Sequence, residues 1–224
     1  MRIGNYEIPG GLLVMPAFAV VIAILVLWTW YYYAKQRGEM RTLAASRGWQ
    51  FLGKEAPEFR QVLGEMAADT SWISENIIVV EGSPNKVYLF NYQSSSRTSA
   101  DTSEIGTGCL AERSHALAGE LVVIDPRPPL IGKLVEKLPD EWVQVGGPEF
   151  QEMFLVRSGR ADVAAANVTS GVQEALLLRR TANLKWSRVW IAGRRVLVTV
   201  TYRLKPTEWD ELIDLTRRLR AALP

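Results

Sequence analysis

The strongest pattern in the chain is a run without a charged side chain, from Ile8 to Ala34. Its centre, Leu12 to Leu27, reads LLVMPAFAVVIAILVL and holds eleven Leu, Ile, Val or Phe residues. The hydrocarbon core of a bilayer takes about 20 helical residues. Each of these side chains favours insertion by roughly 0.3–0.6 kcal/mol at the helix centre. Pro16 lies near the start of the run, where a helix tolerates it. Trp28, Trp30, Tyr31, Tyr32 and Tyr33 follow as an interfacial belt, and Lys35 and Arg37 are placed to snorkel just beyond it. A buried core helix would be shorter and would rarely end in five aromatics and two cations. A cleaved signal peptide needs a charged leading region and a small-residue cleavage site. Here Glu7 partly offsets Arg2, and no A-x-A site follows the apolar run. The pattern predicts a retained single-pass anchor.

The chain then divides into a short tail (1–11), a transmembrane helix in contact with the lipid bilayer (12–33), a juxtamembrane helix and linker (34–48), and a soluble domain (49–224). Lys35, Arg37, Arg41, Arg47, Lys54 and Arg60 follow the span, against Arg2 and the amino terminus before it. The excess of cations behind the span predicts an N-terminus outside the cell membrane and a cytoplasmic domain.

Within the soluble part the hydrophobic period alternates between helical and extended. Residues 35–47 continue as helix to a stop at Gly48. Pro57 opens a helix whose Phe59, Val62, Leu63 and Met66 recur at helical spacing. A strand at 72–81 ends in Gly82-Ser83-Pro84-Asn85, and a second follows at 86–92. Residues 93–108 are rich in Ser and Thr and read as a long hairpin loop, with phosphoacceptor or partner-binding use as the sharper alternative. A return strand at Cys109-Leu110-Ala111 and a buried strand at Leu121–Ile124 come next. Pro126, Pro128 and Pro129 form a rigid turn before a helix at 130–138. Phe150, Phe154 and Val156 predict a helical turn running into a strand, followed by a helix at 160–168. Ser170 and Gln173 have capping-box spacing for a helix from Gly171 to Arg179. Leu184–Ile191 and Arg195–Leu204 form the clearest hairpin, turning at Ala192-Gly193-Arg194. Val189 and Ile191 share a core face with Val196, Val198 and Val200, and Trp186, Arg188 and Trp190 share the more exposed or helix-covered one. The last helix opens on Thr207 and Asp210 as a capping box. It buries Trp209, Leu212, Ile213, Thr216 and Leu219 and ends in Arg217, Arg218 and Arg220. Hairpins with few crossover helices predict an α+β domain, mainly antiparallel sheet with packed helices.

Composition narrows the chemistry. The chain has 26 basic and 24 acidic residues, a formal charge of +2. So balanced a chain has no electrostatic footprint for nucleic acid. Its one cysteine, Cys109, allows no intramolecular disulfide and no Cys-based zinc site, and reads as a small buried hydrophobe. His115 is the one histidine, with no G-x-S-x-G elbow for a triad. Gly106-Thr-Gly108 is too short for a dinucleotide fingerprint. Glu75, Glu81, Asp125 and Glu152 could in principle serve acid–base work, but no spacing singles out a pair, and each reads as solvated or salt-bridged. The eight Trp residues belong to the membrane belt and the core.

An anchor is followed by Arg47-Gly-Trp49-x-Phe51, Val87-Tyr-Leu-Phe90-x-Tyr92, and Phe150-x-x-x-Phe154-x-Val156 before an Ala-rich helix. The Gly193 hairpin and a helix close the series. In this order the chain resembles a large group of uncharacterised bacterial single-pass membrane-anchored proteins. The resemblance implies the anchored layout and brings no activity, cofactor or site residue with it. With no catalytic, cofactor-binding or metal-binding residue singled out, the expected role is a non-enzymatic interaction or scaffold module with a protein partner or a second copy. One alternative is a carboxylate-based enzyme, with or without a divalent metal held by oxygens. Another is a small-ligand or lipid-headgroup sensor. Converging carboxylates in a deep pocket would favour the enzyme, an apolar pocket the sensor, and a flat or self-complementary surface the scaffold.

Overall fold

The computed structural model describes residues 2–3, 6–7, 10–54, 56–66, 70–96, 103–113, 120–127, 142–178 and 186–224, with side chains from Phe18 onward. The helix expected at 130–138, the Pro128-Pro129 pair, His115 and the start of the last hairpin at Leu184 lie outside these residues. The chain forms two compact units, residues 1–43 and 44–224.

The first unit has a two-stranded antiparallel ribbon, β1 (Arg2–Ile3) with β2 (Tyr6–Glu7), and most of the helix α1 (Gly10–Ser46). From Phe18 to Tyr33 the large apolar side chains of α1 are 44–71% exposed. A helix apolar all round and uncovered by protein needs a non-aqueous surrounding. Its length and composition fit a single-pass membrane anchor. α1 ends where Gly48 takes φ +70°, a left-handed conformation that only glycine adopts without strain, and Trp49 donates its N–H to the Ala44 carbonyl.

The second unit is α+β. Nine strands pair in the order β3-β4-β5-β6-β11-β10-β7-β9-β8, every pairing antiparallel. They are β3 (Gln50–Gly53), β4 (Thr70–Glu81), β5 (Asn85–Ser96), β6 (Ser103–Arg113), β7 (Leu121–Pro126), β8 (Trp142–Val143), β9 (Phe154–Ser158), β10 (Arg188–Ala192) and β11 (Arg195–Val200). The helices are α2 (Pro57–Met66), α3 (Pro148–Met153), α4 (Ala161–Asn167), α5 (Ser170–Leu178) and α6 (Trp209–Ala222). α6 packs on β6 and β11, α5 on α6, and α4 on β7 and β9. The valine face of the hairpin, Val189, Ile191, Val196, Val198 and Val200, is fully buried. Thr216 of α6 reaches Cys109 on that same side.

The opposite face is buried too. Leu197 and Thr199 are inaccessible and Trp190 nearly so, because α2 lays Phe59, Leu63 and Met66 against Tyr88, Phe90, Tyr92, Leu110 and Trp190. The sheet curls to make this possible. Three strands separate β4 from β10, about 19 Å along a flat sheet, yet the rings of Trp72 and Trp190 lie 5.7 Å apart. Gly106 and Gly108 on β6 permit the curl. A Cβ at Gly106 would sit 1.8 Å from the Val200 carbonyl oxygen, and one at Gly108 2.5 Å from the Phe90 ring. Tyr92 leans over this gap and donates its hydroxyl to Val200 O at 3.3 Å.

Several expectations shift. The Ser/Thr-rich stretch 93–108 is mostly strand, since Gln93↔Ile105 and Ser94↔Glu104 extend the β5–β6 ladder to Ser95↔Ser103. Cross-strand pairing overrides the weak local preference of serine for turns. Ser170 does not cap α5. Thr169 does, its Oγ1 accepting from Val172 N at 3.3 Å, while Gln173 is drawn off to accept from Gly147 N. In the single 3-10 turn Pro206–Glu208 ahead of α6, Glu208 Oε2 accepts from Lys205 N at 2.8 Å, and Asp210, instead of closing a box with Thr207, binds Arg47.

Candidate functional site

Among its described residues, the second unit offers a partner an uncovered strand edge and a cleft. The first is the outer side of β4. β3 pairs only with Ile77, Ile78 and Val79. Below that point Asn76 takes φ +53° within a register shift of the β4–β5 ladder, which ends the straight run of strand. From Thr70 to Glu75 no described strand lies along the outer side of β4. Alternation puts Trp72 on the curled inner face, its ring 5.1 Å from Tyr92, and its indole Nε1 is buried without a hydrogen-bond partner among the described residues. Ile73 points the other way and is 57% exposed. It shares a cross-strand row with Gln93 and Ile105, and Ile105 is 45% exposed. Ser71 beside it is exposed, and Glu75 is held by Lys54 at 2.7 Å. An unpaired strand with an exposed apolar residue at its centre is a template for pairing with another chain.

The second feature is a cleft of about 310 Å³ between β8, α3 and β9, lined by Arg127, Trp142, Gln144, Gln151, Glu152 and Phe154, among others. The Arg127 guanidinium donates to the Gln151 carbonyl at 3.3 Å, while its Nε is buried without a partner among the described residues. The volume is at the small end for ligand sites. One cation and one carboxylate on a wall of mixed polar and apolar side chains suit a small amphiphile better than acid–base chemistry.

The carboxylates singled out from the sequence are not brought together. Glu75 pairs with Lys54, Glu81 with Arg217 at 2.6 Å and Arg220 at 3.5 Å, and Asp125 with Arg188 at 2.5 Å, while Glu152 lines the cleft. Among the described residues no three His, Cys, Asp or Glu side chains cluster as a metal site. Cys109 is buried, and burial pushes its thiol up to about 12. The densest ionic cluster ties α2 to the sheet. Glu58 pairs with Lys86 at 2.9 Å, and Arg195 bridges Glu65 at 2.6 Å and Glu112 at 3.4 Å. Burial raises the Glu112 carboxyl above its ordinary value against the pull of Arg195, and the hydrogen bond from Arg195 holds Glu65 below its own.

The edge at Ile73 is not among the residues the sequence reading marks. Its trace is there, since Trp72-Ile73 breaks the alternation of a Ser-rich segment and leaves one large apolar side chain on each face. What the sequence does not reveal is that β3 is too short to cover it.

No family model matches the chain, and no curated protein does. Among solved structures, the crystal structure of the mycobacterial trehalose monomycolate transport factor A, TtfA, is similar, with a TM-score of 0.55 and 16% identity over 84% of this chain and 96% of that one. The likeness is one of fold.

Proposed function

We propose that this protein is a membrane-tethered, non-enzymatic interaction module, anchored by α1 and docking an extended chain segment along the outer side of β4. The open edge from Thr70 to Glu75, with Ile73 exposed at its centre, carries this reading. Strand addition supplies main-chain hydrogen bonds for affinity, and the alternating side chains supply selectivity. Tethering raises the effective concentration near membrane partners, so a short strand can suffice. The cations after the span argue for a cytoplasmic domain. The motif order supports membership of the bacterial membrane-anchored group it resembles. The fold neighbour is by name a transport factor, which agrees with a tethered docking module.

Affinity purification from gently solubilised membranes tests the reading, comparing wild type with Ile73→Lys. Protein co-purifying with wild type should be lost from the variant. Equal recovery from both would remove the β4 edge from the account. The cleft beside Arg127 supports a second reading, a sensor for a small amphiphile with an anionic head. It calls for binding to vesicles containing anionic lipid that Arg127→Ala weakens.

A further inference from the structure

Resting on the reading of β4 as a docking edge, we infer that its occupant is β4 of a second copy of this chain, paired antiparallel about a twofold axis through Ile73. The segment Ser71-Trp72-Ile73-Ser74-Glu75 is complementary to itself in one register only. Centred on Ile73, it sets Ile73 opposite Ile73 of the second copy, Trp72 opposite Ser74, and Ser71 opposite Glu75. The exposed isoleucine is thus covered by its own counterpart, and no two like charges face each other. Centring on Trp72 would set Ile73 against Ser71, and centring on Ser74 would set it against Glu75. Either shift leaves the apolar side chain against a polar one.

One end of the segment is already fixed. β3 occupies the outer side of β4 from Ile77 onward, and Asn76 at φ +53° breaks the strand just before it. The pairing is therefore confined to the stretch below Asn76 and cannot slide towards β3. Ile105, on the same face two strands inward, extends the apolar row on each side of the joint. Both copies are held in one membrane by α1, so a short self-complementary strand meets its twin far more often than a soluble peptide would.

The register makes the test sharp. Residues directly opposite across an antiparallel pair have Cα atoms about 4.5–5.5 Å apart, within the range that a disulfide bridges. Full-length protein carrying Ile73→Cys, oxidised in isolated membranes, is expected to run as a disulfide-linked dimer. Ser71→Cys alone should not, because the two copies of position 71 stand four residues apart, about 13 Å. Glu75→Cys alone fails for the same reason. The double variant Ser71→Cys with Glu75→Cys should cross-link, since 71 faces 75. The native Cys109 is buried and does not compete. As a measure that needs no oxidant, two differently tagged copies should co-purify, and Ile73→Lys in both should cut that recovery by about tenfold or more. Ile73→Cys remaining monomeric in membranes while it resists protease like wild type overturns the inference. So does Ser71→Cys cross-linking as readily as Ile73→Cys. If self-pairing fails but Ile73→Lys still strips other proteins from the wild-type complex, the docking edge stands and only its occupant is wrong. If Ile73→Lys strips nothing, both fall.

Discussion

Gly106 and Gly108 are the residues on which the shape of the sheet turns. With side chains there, the Phe90 and Tyr92 rings could not lie across β6, and Tyr92 could not reach the Val200 carbonyl. The two positions differ in what a methyl group would meet. At Gly106 it meets backbone at 1.8 Å, which moves only if the strand moves. At Gly108 it meets the edge of a ring, which can tilt. Gly106→Ala should therefore destabilise the domain by about 3 kcal/mol or more and Gly108→Ala by about 1–3 kcal/mol, measured by denaturant unfolding. Equal and small effects would show that the curl has another cause. In the sequence this pair reads only as a fragment too short to bind a nucleotide. Its real role depends on the strands paired on either side of β6, one of them more than ninety residues away in the chain, which no local pattern records.

At the scale of elements, α2 is held to the sheet in two ways. Phe59 packs 4.7 Å from the Phe90 ring and 5.2 Å from Tyr88, and the chain Glu58–Lys86 and Glu65–Arg195–Glu112 lines its flank. Glu112 and Glu65 respond to pH with opposite signs. The Glu112 carboxyl is raised by burial, so its contribution to stability is present below its unfolded pKa, near 4.5, and is lost as pH rises through its folded value. Glu65 is lowered by Arg195, so its contribution is present above the unfolded pKa and is lost as pH falls through the folded one. Glu112→Gln mimics the protonated side chain. Its melting temperature relative to wild type should therefore rise as pH goes from 4 to 7. A difference that narrows over that range would mean that the pull of Arg195 outweighs burial. The helix itself is legible in the sequence, from Pro57 and the spacing of Phe59, Leu63 and Met66. Its ionic partners come from β5, β6 and β11, up to 130 residues away, and no spacing predicts them.

For the whole molecule, the anchor decides where the domain works. Uncovered apolar surface around α1 keeps the protein in the membrane fraction, so alkaline carbonate should fail to release it. The charge bias after the span predicts a cytoplasmic domain, and the exposed Ser95 on β5 offers a probe of that expectation. In intact cells, Ser95→Cys should escape a membrane-impermeant thiol reagent and react once the cells are opened. Labelling in intact cells would reverse the orientation. Native Cys109, its thiol pushed up to about 12 by burial, gives no background in this assay.

The sequence by itself determined the anchor, the α+β class, the boundaries of most helices, and the faces of the β10–β11 hairpin. These follow from near-neighbour physics: charge-free length, a period of 3.6 or 2, and the residues that start and stop helices. It also determined that Cys109 behaves as a hydrophobe. Only the tertiary structure decided that residues 93–96 and 103–108 are strand. Their ladder is made with each other, and serine carries no strong signal for it. Only the tertiary structure decided that both faces of the sheet are buried, because the curl depends on two glycines and a helix far apart in sequence. The edge at Ile73, uncovered among the described residues, belongs to the same class. Whether a strand is covered depends on how far its neighbour runs, and β3 stops three residue pairs into a twelve-residue partner. That is a relation between two segments, written in neither of them.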